Sequence, residues 1–412
     1  NQSEATHQYS NTGIYEIRIK GNITGWRFDN GYSNGIDDDK IIQISSWGPL
    51  RFKSNDNDLF QGCSNLVLTA TDSLTLGGIN GQSMFRQSPL LGDAGNMNSW
   101  DTSSVTNMSN MFRDCTGFNQ PIGSWDTSNV TNMSEMFFKE SGPMTFNQDI
   151  GAWDTSSVTN MSYMFGYNQA TKAFNNGGSP SISGWNTSGV TSMVHMFDGC
   201  TGFNQPIGSW DVGNVTSMAY MFRHARVFNQ YLGNWNPSSC TNMQNMFNNA
   251  RVFDQDIGSW DVSNVTTMKS MLHSAFLFNN GGSTGINNWD TSSVTNMSSM
   301  FRDCSGFNQP LGSWDTSNVT NMSEMFFKES GPMTFNQDIG AWDTSSVTNM
   351  SYMFGYNQAT KAFNNGGSPS ISGWNTSGVT SMVHMFDGCT GFNQPIGSWD
   401  VGNVTSMAYM FR

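Results

Sequence analysis

The residues with the most obvious chemical potential are carboxylates, because an aspartate follows most members of a regular series of tryptophans. These aspartates are Asp101, Asp126, Asp154, Asp211, Asp261, Asp290, Asp315, Asp343 and Asp400. Stacked units would align them in a row along one edge, and such a row could bind calcium. Alternatively, each aspartate accepts backbone N–H bonds within its own turn. We favour the turn-forming role and keep the calcium row as the alternative.

A second acidic group lies outside the tryptophan series. Asp37, Asp38 and Asp39 are consecutive within Gly35-Ile-Asp-Asp-Asp-Lys40, which we expect to form a loop. They are weak candidates for calcium ligands, since their spacing is not that of an EF-hand. We predict no other metal ligand, no catalytic residue and no cofactor.

We favour a structural interpretation of the cysteine, methionine and histidine residues over a role as metal ligands. Cys115, Cys200, Cys304 and Cys389 share a repeat position that alanine fills elsewhere, so we interpret them as small buried thiols, with disulfides or metal ligation left open. The Met-x-x-Met-Phe segments favour core packing over copper binding. His195, His224, His273 and His384 show no zinc spacing, and we expect them to face solvent.

Composition narrows the function classes. The 412 residues include only 12% charged residues and carry a net charge of −13, which disfavours nucleic acid as a partner. No apolar run is long enough for a membrane span, no signal peptide opens these residues, and we expect a fragment of a longer protein. A Ser-His-Asp set and a phosphate-binding loop are absent from the sequence, so we predict a protein that is not an enzyme.

A tandem repeat must position these residues. Successive tryptophans from Trp100 to Trp399 are 25 to 32 residues apart, which defines a unit of about 25 residues. Residues 101–223 reappear as residues 290–412 with three differences, Asn110 to Ser299, Thr116 to Ser305 and Ile122 to Leu311. Such near-identity indicates duplication of a block of units, which lengthens an array without creating a new site.

Each part of the unit has a predicted conformation. Met161, Met164 and Phe165 lie at i, i+3 and i+4, which predicts a short inward-facing helical turn. Phe203 and Ile207 are an even number of residues apart, which predicts a short strand stacked in parallel. Stacked units of this kind form a solenoid, which we estimate at about fourteen coils.

The chain divides into three predicted regions. Residues 1–40 are expected to be the tail of a β-sandwich, because residues 15–19 alternate strictly after a turn. Residues 41–99 are expected to be degenerate capping coils, and residues 100–412 the regular solenoid. Insertions at residues 139–145 and 166–173 should bulge from one edge.

The repeat resembles the methionine-rich branch of BspA-like leucine-rich-repeat surface proteins, which are common in mycoplasma surface lipoproteins and marine microbes. The motifs that carry the resemblance are Asn129-Val-Thr-Asn-Met-Ser-Glu-Met-Phe137 and Phe203-Asn-Gln-Pro-Ile-Gly-Ser-Trp-Asp211. Residues 7–19 resemble the tail of a PKD-like module. The resemblance implies a right-handed, leucine-rich-repeat-like solenoid at the cell surface that serves adhesion or surface coating.

We therefore expect an extracellular structural or adhesive protein, such as a stalk, a coat or a filament subunit. The alternative is a module that binds glycans or proteins along its extended face, which clustered variable positions would favour. The expected partners are other copies of the chain, surface proteins and glycans. If the chain is an exported eukaryotic protein, its candidate N-glycosylation sites are Asn22, Asn107, Asn129, Asn214 and Asn264.

Overall fold

The computed structural model describes residues 10–18, 39–48, 50, 52, 57–78, 80–92, 94–140, 142, 145–166, 174–329, 331, 334–355 and 363–412. Asp37, Asp38, Asn22 and most of the insertions expected to bulge lie outside these ranges. The alternating segment is described up to Arg18, and residues 14–18 are assigned no strand.

Regular secondary structure is sparse. Strand β1 (Gln43–Ile44) pairs in parallel with β2 (Val67–Leu68). The helices of the described residues are all short 3₁₀ turns, at Met97–Ser99, Asn176–Gly178, Pro180–Gly184, Asn280–Gly282, Thr284–Asn288, Asn365–Gly367 and Pro369–Gly373. None of them has the length and apolar character needed to cross a bilayer. The chain is a regular tandem repeat that is mostly non-helical.

Neighbouring units are joined by parallel backbone pairing at the Val-Thr-Asn segment. One residue of each unit forms an isolated parallel bridge with its equivalent in the next, from Asn107 to Ser406. Beside each bridge, the threonine N–H donates to the preceding unit's threonine carbonyl, as from Thr241 to Thr216 at 2.9 Å. The sequence predicts no strand at this segment, whereas the structure places the backbone pairing between units here.

The predicted helical turn at Met-x-x-Met-Phe is wrong. Met161, Met164 and Phe165 are buried as expected, but Tyr163 between them has a φ of 58°. The Met164 N–H closes a four-residue turn on the Met161 carbonyl at 3.2 Å, while the Phe165 N–H donates to the Met196 carbonyl of the next unit at 3.0 Å. The backbone thus alternates between a local turn and inter-unit bonds, which an α-helix cannot do.

The predicted strand at Phe-Asn-Gln-x-Ile is also wrong. Phe203 and Ile207 both face the core, in agreement with their even spacing. However, the Asn204 N–H donates to the side-chain Oδ1 of Asn175 at 3.0 Å, and Gln205 Nε2 donates to the Asn175 carbonyl at 2.9 Å. A ladder of asparagine side chains therefore replaces the backbone pairing of a β-sheet.

The core is a periodic aromatic ladder. Phe222, from a Met-Phe pair, lies 5.4 Å from Phe247 of the next unit and 4.3 Å from Phe228 of its own unit, with nearly parallel rings. Trp235 donates from Nε1 to the Ile207 carbonyl of the preceding unit at 3.1 Å. Because each large side chain contacts the equivalent side chain of the adjacent unit, no unit completes its core alone.

Candidate functional site

The aspartates that follow tryptophan form turns, as the favoured interpretation predicted. Asp126 Oδ1 accepts the Ser128 N–H at 3.0 Å and the Ser128 hydroxyl at 2.6 Å. The two bonds from Ser128 lower the pKa of Asp126, against smaller opposing effects of burial and of the Asp154 charge. Among the described residues, no group of three or more His, Cys, Asp or Glu side chains is arranged to hold a metal ion.

The six cysteines are all described, and all are buried thiols. Cys115 Sγ donates to the Phe85 carbonyl at 2.8 Å, and Cys304 Sγ donates to the Ala275 carbonyl at 3.1 Å, each in the preceding unit. Burial raises the pKa of the Cys240 thiol to about 11. Cys240 is therefore a protonated core group at neutral pH. Cys115, Cys200, Cys304 and Cys389 are buried at the repeat position that alanine fills in other units.

The expectation that the histidines face solvent is wrong for His195. Its ring stacks between Tyr163 at 4.4 Å and Tyr220 at 4.2 Å, and its Nδ1 lies 2.7 Å from the fully buried Asp198 carboxylate. Arg223 contacts the same carboxylate at 2.7 Å. Stacked successive units bring these residues together, although the sequence analysis considered His195 alone.

The duplicated block repeats this arrangement. His384 stacks on Tyr352 at 4.6 Å, and its Nδ1 lies 2.7 Å from Asp387, which Arg412 contacts at 3.2 Å. The other two array histidines are partly buried: His224 Nδ1 lies 2.8 Å from Asn249 Nδ2. Burial is the main cause that lowers the pKa of His224 and of His273.

Arginines near the Met-Phe pairs are neutralised within each block. Arg113 contacts Glu135 and Glu140, and its guanidinium lies 4.8 Å from the Phe138 ring centroid. Arg302 makes the equivalent contacts with Glu324, Glu329 and Phe327 in the second block. These clusters are ion pairs and cation–π contacts that join adjacent units.

One position that varies between units forms a row along the array, which we call the variable row. It consists of the second residue between the two methionines, with a positive φ in every case: Asn110, Glu135, Tyr163, His195, Tyr220, Asn245, Ser270, Ser299, Glu324, Tyr352, His384 and Tyr409. The Tyr163, His195 and Tyr220 rings are in direct contact across units. The side chains at this varying position are therefore neighbours along the array.

The described candidate glycosylation sites occupy two environments. Asn129, Asn214 and Asn264 are exposed, and each donates from Nδ2 to a serine carbonyl of the preceding unit at 2.8 Å. Asn107 is half-buried, and its Oδ1 accepts the Ser109 N–H at 2.9 Å. Asp39 is the one described member of the acidic triplet.

The cavities found in the array are small. One of about 10 Å³ is lined by residues including Phe301, Cys304 and Lys328, and its equivalent in the other block, also about 10 Å³, includes Phe112 and Cys115. Such a volume holds about one water molecule. Neither cavity can admit a small-molecule substrate, and each is a packing feature copied with its block.

Comparison with known proteins identifies one family. The model described as "Mycoplasma protein of unknown function, DUF285" matches residues 79–180, 168–284, 272–369 and 357–412, so it covers most of the chain in four tandem copies. No curated protein and no solved structure matches the chain.

Proposed function

The chain belongs to the DUF285 repeat family, and from that premise we propose that it is a non-enzymatic extracellular protein with a structural or adhesive role, as a surface stalk, coat or filament subunit. The family description assigns no activity. The proposal depends on how the described residues use their polar groups.

The observation that carries the proposal is that the repeated polar side chains hold the units together. Thr127 Oγ1 donates to the Asp154 carbonyl at 2.8 Å, and Asn229 Oδ1 accepts the Asp254 N–H at 2.9 Å, with equivalent bonds in most described units. Polar groups that form hydrogen bonds with the backbone of an adjacent unit hold the two units together. An array built this way extends by repetition, which suits a structural element.

The finer architecture belongs to the same proposal. We infer a right-handed solenoid of the leucine-rich-repeat type and membership of the BspA-like surface proteins, with the tail of a PKD-like module at residues 1–40. The parallel bridges between consecutive units support the solenoid. Low charge and an Asn-, Ser- and Thr-rich surface support an exported protein whose partners are other copies, surface proteins or glycans.

A second function is favoured by one specific observation. The variable row differs in side chain from unit to unit and is half-buried at most positions, whereas the threonine and asparagine rows are nearly uniform. Extended binding modules place their variable side chains on one face in this way. A glycan- or protein-binding role along the variable row is therefore the alternative proposal.

Immunogold electron microscopy of intact source cells tests the location and the role together. Antibodies against residues 100–412 should label the outside of the cell envelope, in rows if the chain coats the surface or forms filaments. Labelling confined to the cytoplasm would contradict the proposal. Isolated surface particles that lose a bound glycan or protein after substitution of Tyr163 and Tyr220 by serine would favour the binding module.

A further inference from the structure

The segment between the duplicated blocks, residues 224–289, departs from the repeat at one position. Four units carry a small pair before the second phenylalanine, namely Thr116-Gly117, Thr201-Gly202, Ser305-Gly306 and Thr390-Gly391. Three consecutive units of this segment carry instead Arg226-Val227, Arg251-Val252 and Phe276-Leu277. We call these six residues the basic-apolar patch.

Packing explains the glycine in two of these pairs, at Gly117 and Gly306. A Cβ added to Gly117 would lie 2.6 Å from the Pro89 carbonyl oxygen, and one added to Gly306 would lie 2.8 Å from that of Leu277. In the patch the side chains point outward instead, with Val227 45% and Leu277 58% exposed. Val252, at the equivalent position of the unit between them, is half-buried, and a row of half-buried and exposed aliphatic side chains indicates a contact surface.

The patch also carries cations without carboxylate partners. Outside the patch, three arginines of the described array form ion pairs with carboxylates, namely Arg113, Arg223 and Arg302. Arg226 and Arg251 form no ion pair within the described ranges. Arg251 Nε donates instead to Asn249 Oδ1 at 2.8 Å, and its guanidinium lies 5.6 Å from the Phe276 ring centroid. The Leu277 N–H donates to the Arg251 carbonyl at 3.3 Å, so the units that carry the patch are in contact.

The chain itself presents a complementary surface, the aspartate row described above. Asp261, Asp290, Asp315 and Asp343 lie in four consecutive units and are exposed. Their turn bonds use Oδ1, as in Asp315 with Ser317 at 2.6 Å, and no described hydrogen bond uses Oδ2. Since both surfaces present one group per unit, their spacings match.

We propose that the basic-apolar patch of one copy docks on the aspartate row of a second copy. The contact pairs Arg226 and Arg251 with carboxylates of adjacent units and shields Val227 and Leu277 from water. Because the two surfaces differ, the contact is heterologous and adds copies without closing a dimer. This inference rests on the proposed structural role and identifies how copies would associate.

Sedimentation velocity of the whole chain over a concentration series tests the contact. The wild type should form oligomers in about 0.1 M NaCl and dissociate in about 1 M NaCl, where the Debye length falls from about 10 Å to about 3 Å. R226Q/R251Q should weaken association at least about tenfold, since two charge pairs are lost. Thermal unfolding of each variant checks that it folds.

Two further variants separate a specific contact from net-charge effects. P121D/P206D changes the net charge as much as R226Q/R251Q, at a repeat position where Asp149 and Asp256 stand in other units, and should associate like the wild type. D290N/D315N/D343N keeps the turns, because Asn186 makes the same bonds to Ser188. It should weaken association, although its lower negative charge would strengthen nonspecific aggregation.

Three results would overturn this contact. They are a wild type that stays monomeric at low salt, an R226Q/R251Q variant that associates normally, and stronger association of the Asp-to-Asn variant. Binding of heparin by a monomeric wild type but not by R226Q/R251Q would assign the patch to an anionic glycan instead. A monomeric chain that is still labelled on cell surfaces would overturn this inference alone, whereas cytoplasmic labelling would overturn the proposed function.

Discussion

Replacement of Phe222 should show that the aromatic ladder carries the stability of the array. Phe222 is fully buried and lies 5.8 Å from Phe197, 4.3 Å from Phe228 and 5.4 Å from Phe247. Phe222→Ala removes these ring contacts and the one with Trp235 at 6.2 Å, and it leaves a cavity, so it should reduce the free energy of unfolding by about 3–5 kcal/mol.

The chain supplies a matched control at the same repeat position. Leu272 replaces phenylalanine in the ladder and is also fully buried. Phe222→Leu should therefore cost about 1.5 kcal/mol or less, since it retains most of the volume. The difference in the free energy of unfolding between Phe222→Ala and Phe222→Leu therefore measures the effect of the cavity and of the lost contacts. An effect that any substitution at this position would have is common to both variants.

Urea unfolding and hydrogen exchange measure the two consequences. Urea titration followed by tryptophan fluorescence gives the stability change, with non-two-state fits where repeat units unfold separately. Hydrogen exchange read by mass spectrometry should show the largest loss of protection in the units around residues 197–247, because stabilising contacts reach only adjacent units. A Phe222→Ala variant within about 1 kcal/mol of the wild type, or equal to Phe222→Leu, would refute this reasoning.

Three further predictions concern polar and thiol groups. Asn229→Ala should lower the free energy of unfolding in urea by about 1 kcal/mol, because it removes the acceptor of the Asp254 N–H. Asn229→Asp should lower it little, because Asp254 itself accepts the Asn279 N–H in the same way at 2.7 Å. Equal losses of stability in the two variants would contradict the asparagine ladder. Cys240, with its pKa raised to about 11, should resist iodoacetamide at pH about 8 until guanidinium unfolds the chain; rapid native labelling would contradict its burial. The turn aspartates have folded pKa values below their unfolded values, so they stabilise above the unfolded pKa, and this contribution is lost as pH falls through the folded pKa. The test variant replaces five of these aspartates by asparagine, namely Asp126, Asp154, Asp261, Asp315 and Asp343. Compared with the wild type, it should lose less thermal stability below about pH 4. An unchanged pH profile would argue against the turn bonds.

Side-chain direction was predictable from the sequence because it follows spacing. The even interval between Phe203 and Ile207 correctly placed both in the core, and the i, i+3, i+4 pattern did so for Met161, Met164 and Phe165. The equivalence of cysteine and alanine positions likewise indicated buried thiols. These inferences needed only the period of the repeat.

Backbone conformation was not predictable in the same way. A left-handed residue such as Tyr163 leaves the inward positions of its neighbours unchanged, so the hydrophobic pattern does not distinguish this turn from a helix. The conformation is sustained by a bond between units, from the Tyr163 N–H to the Val194 carbonyl at 2.7 Å. Likewise, the stacking of His195 between two tyrosines appears only when neighbouring units are superposed in register.

Engineered cysteines at the threonine row test the stacking of units most directly, because the aromatic ladder, the variable row and the proposed contact all depend on it. Thr295 and Thr320 are adjacent in the row, and Thr320 N–H donates to the Thr295 carbonyl at 2.9 Å. Paired parallel residues lie about 4.8 Å apart, within the range of a disulfide. Under mild oxidation, T295C/T320C should form this crosslink in peptide maps, and T266C/T320C, two units apart, should not. Failure of the first pair, or equal crosslinking of both, would contradict the stack.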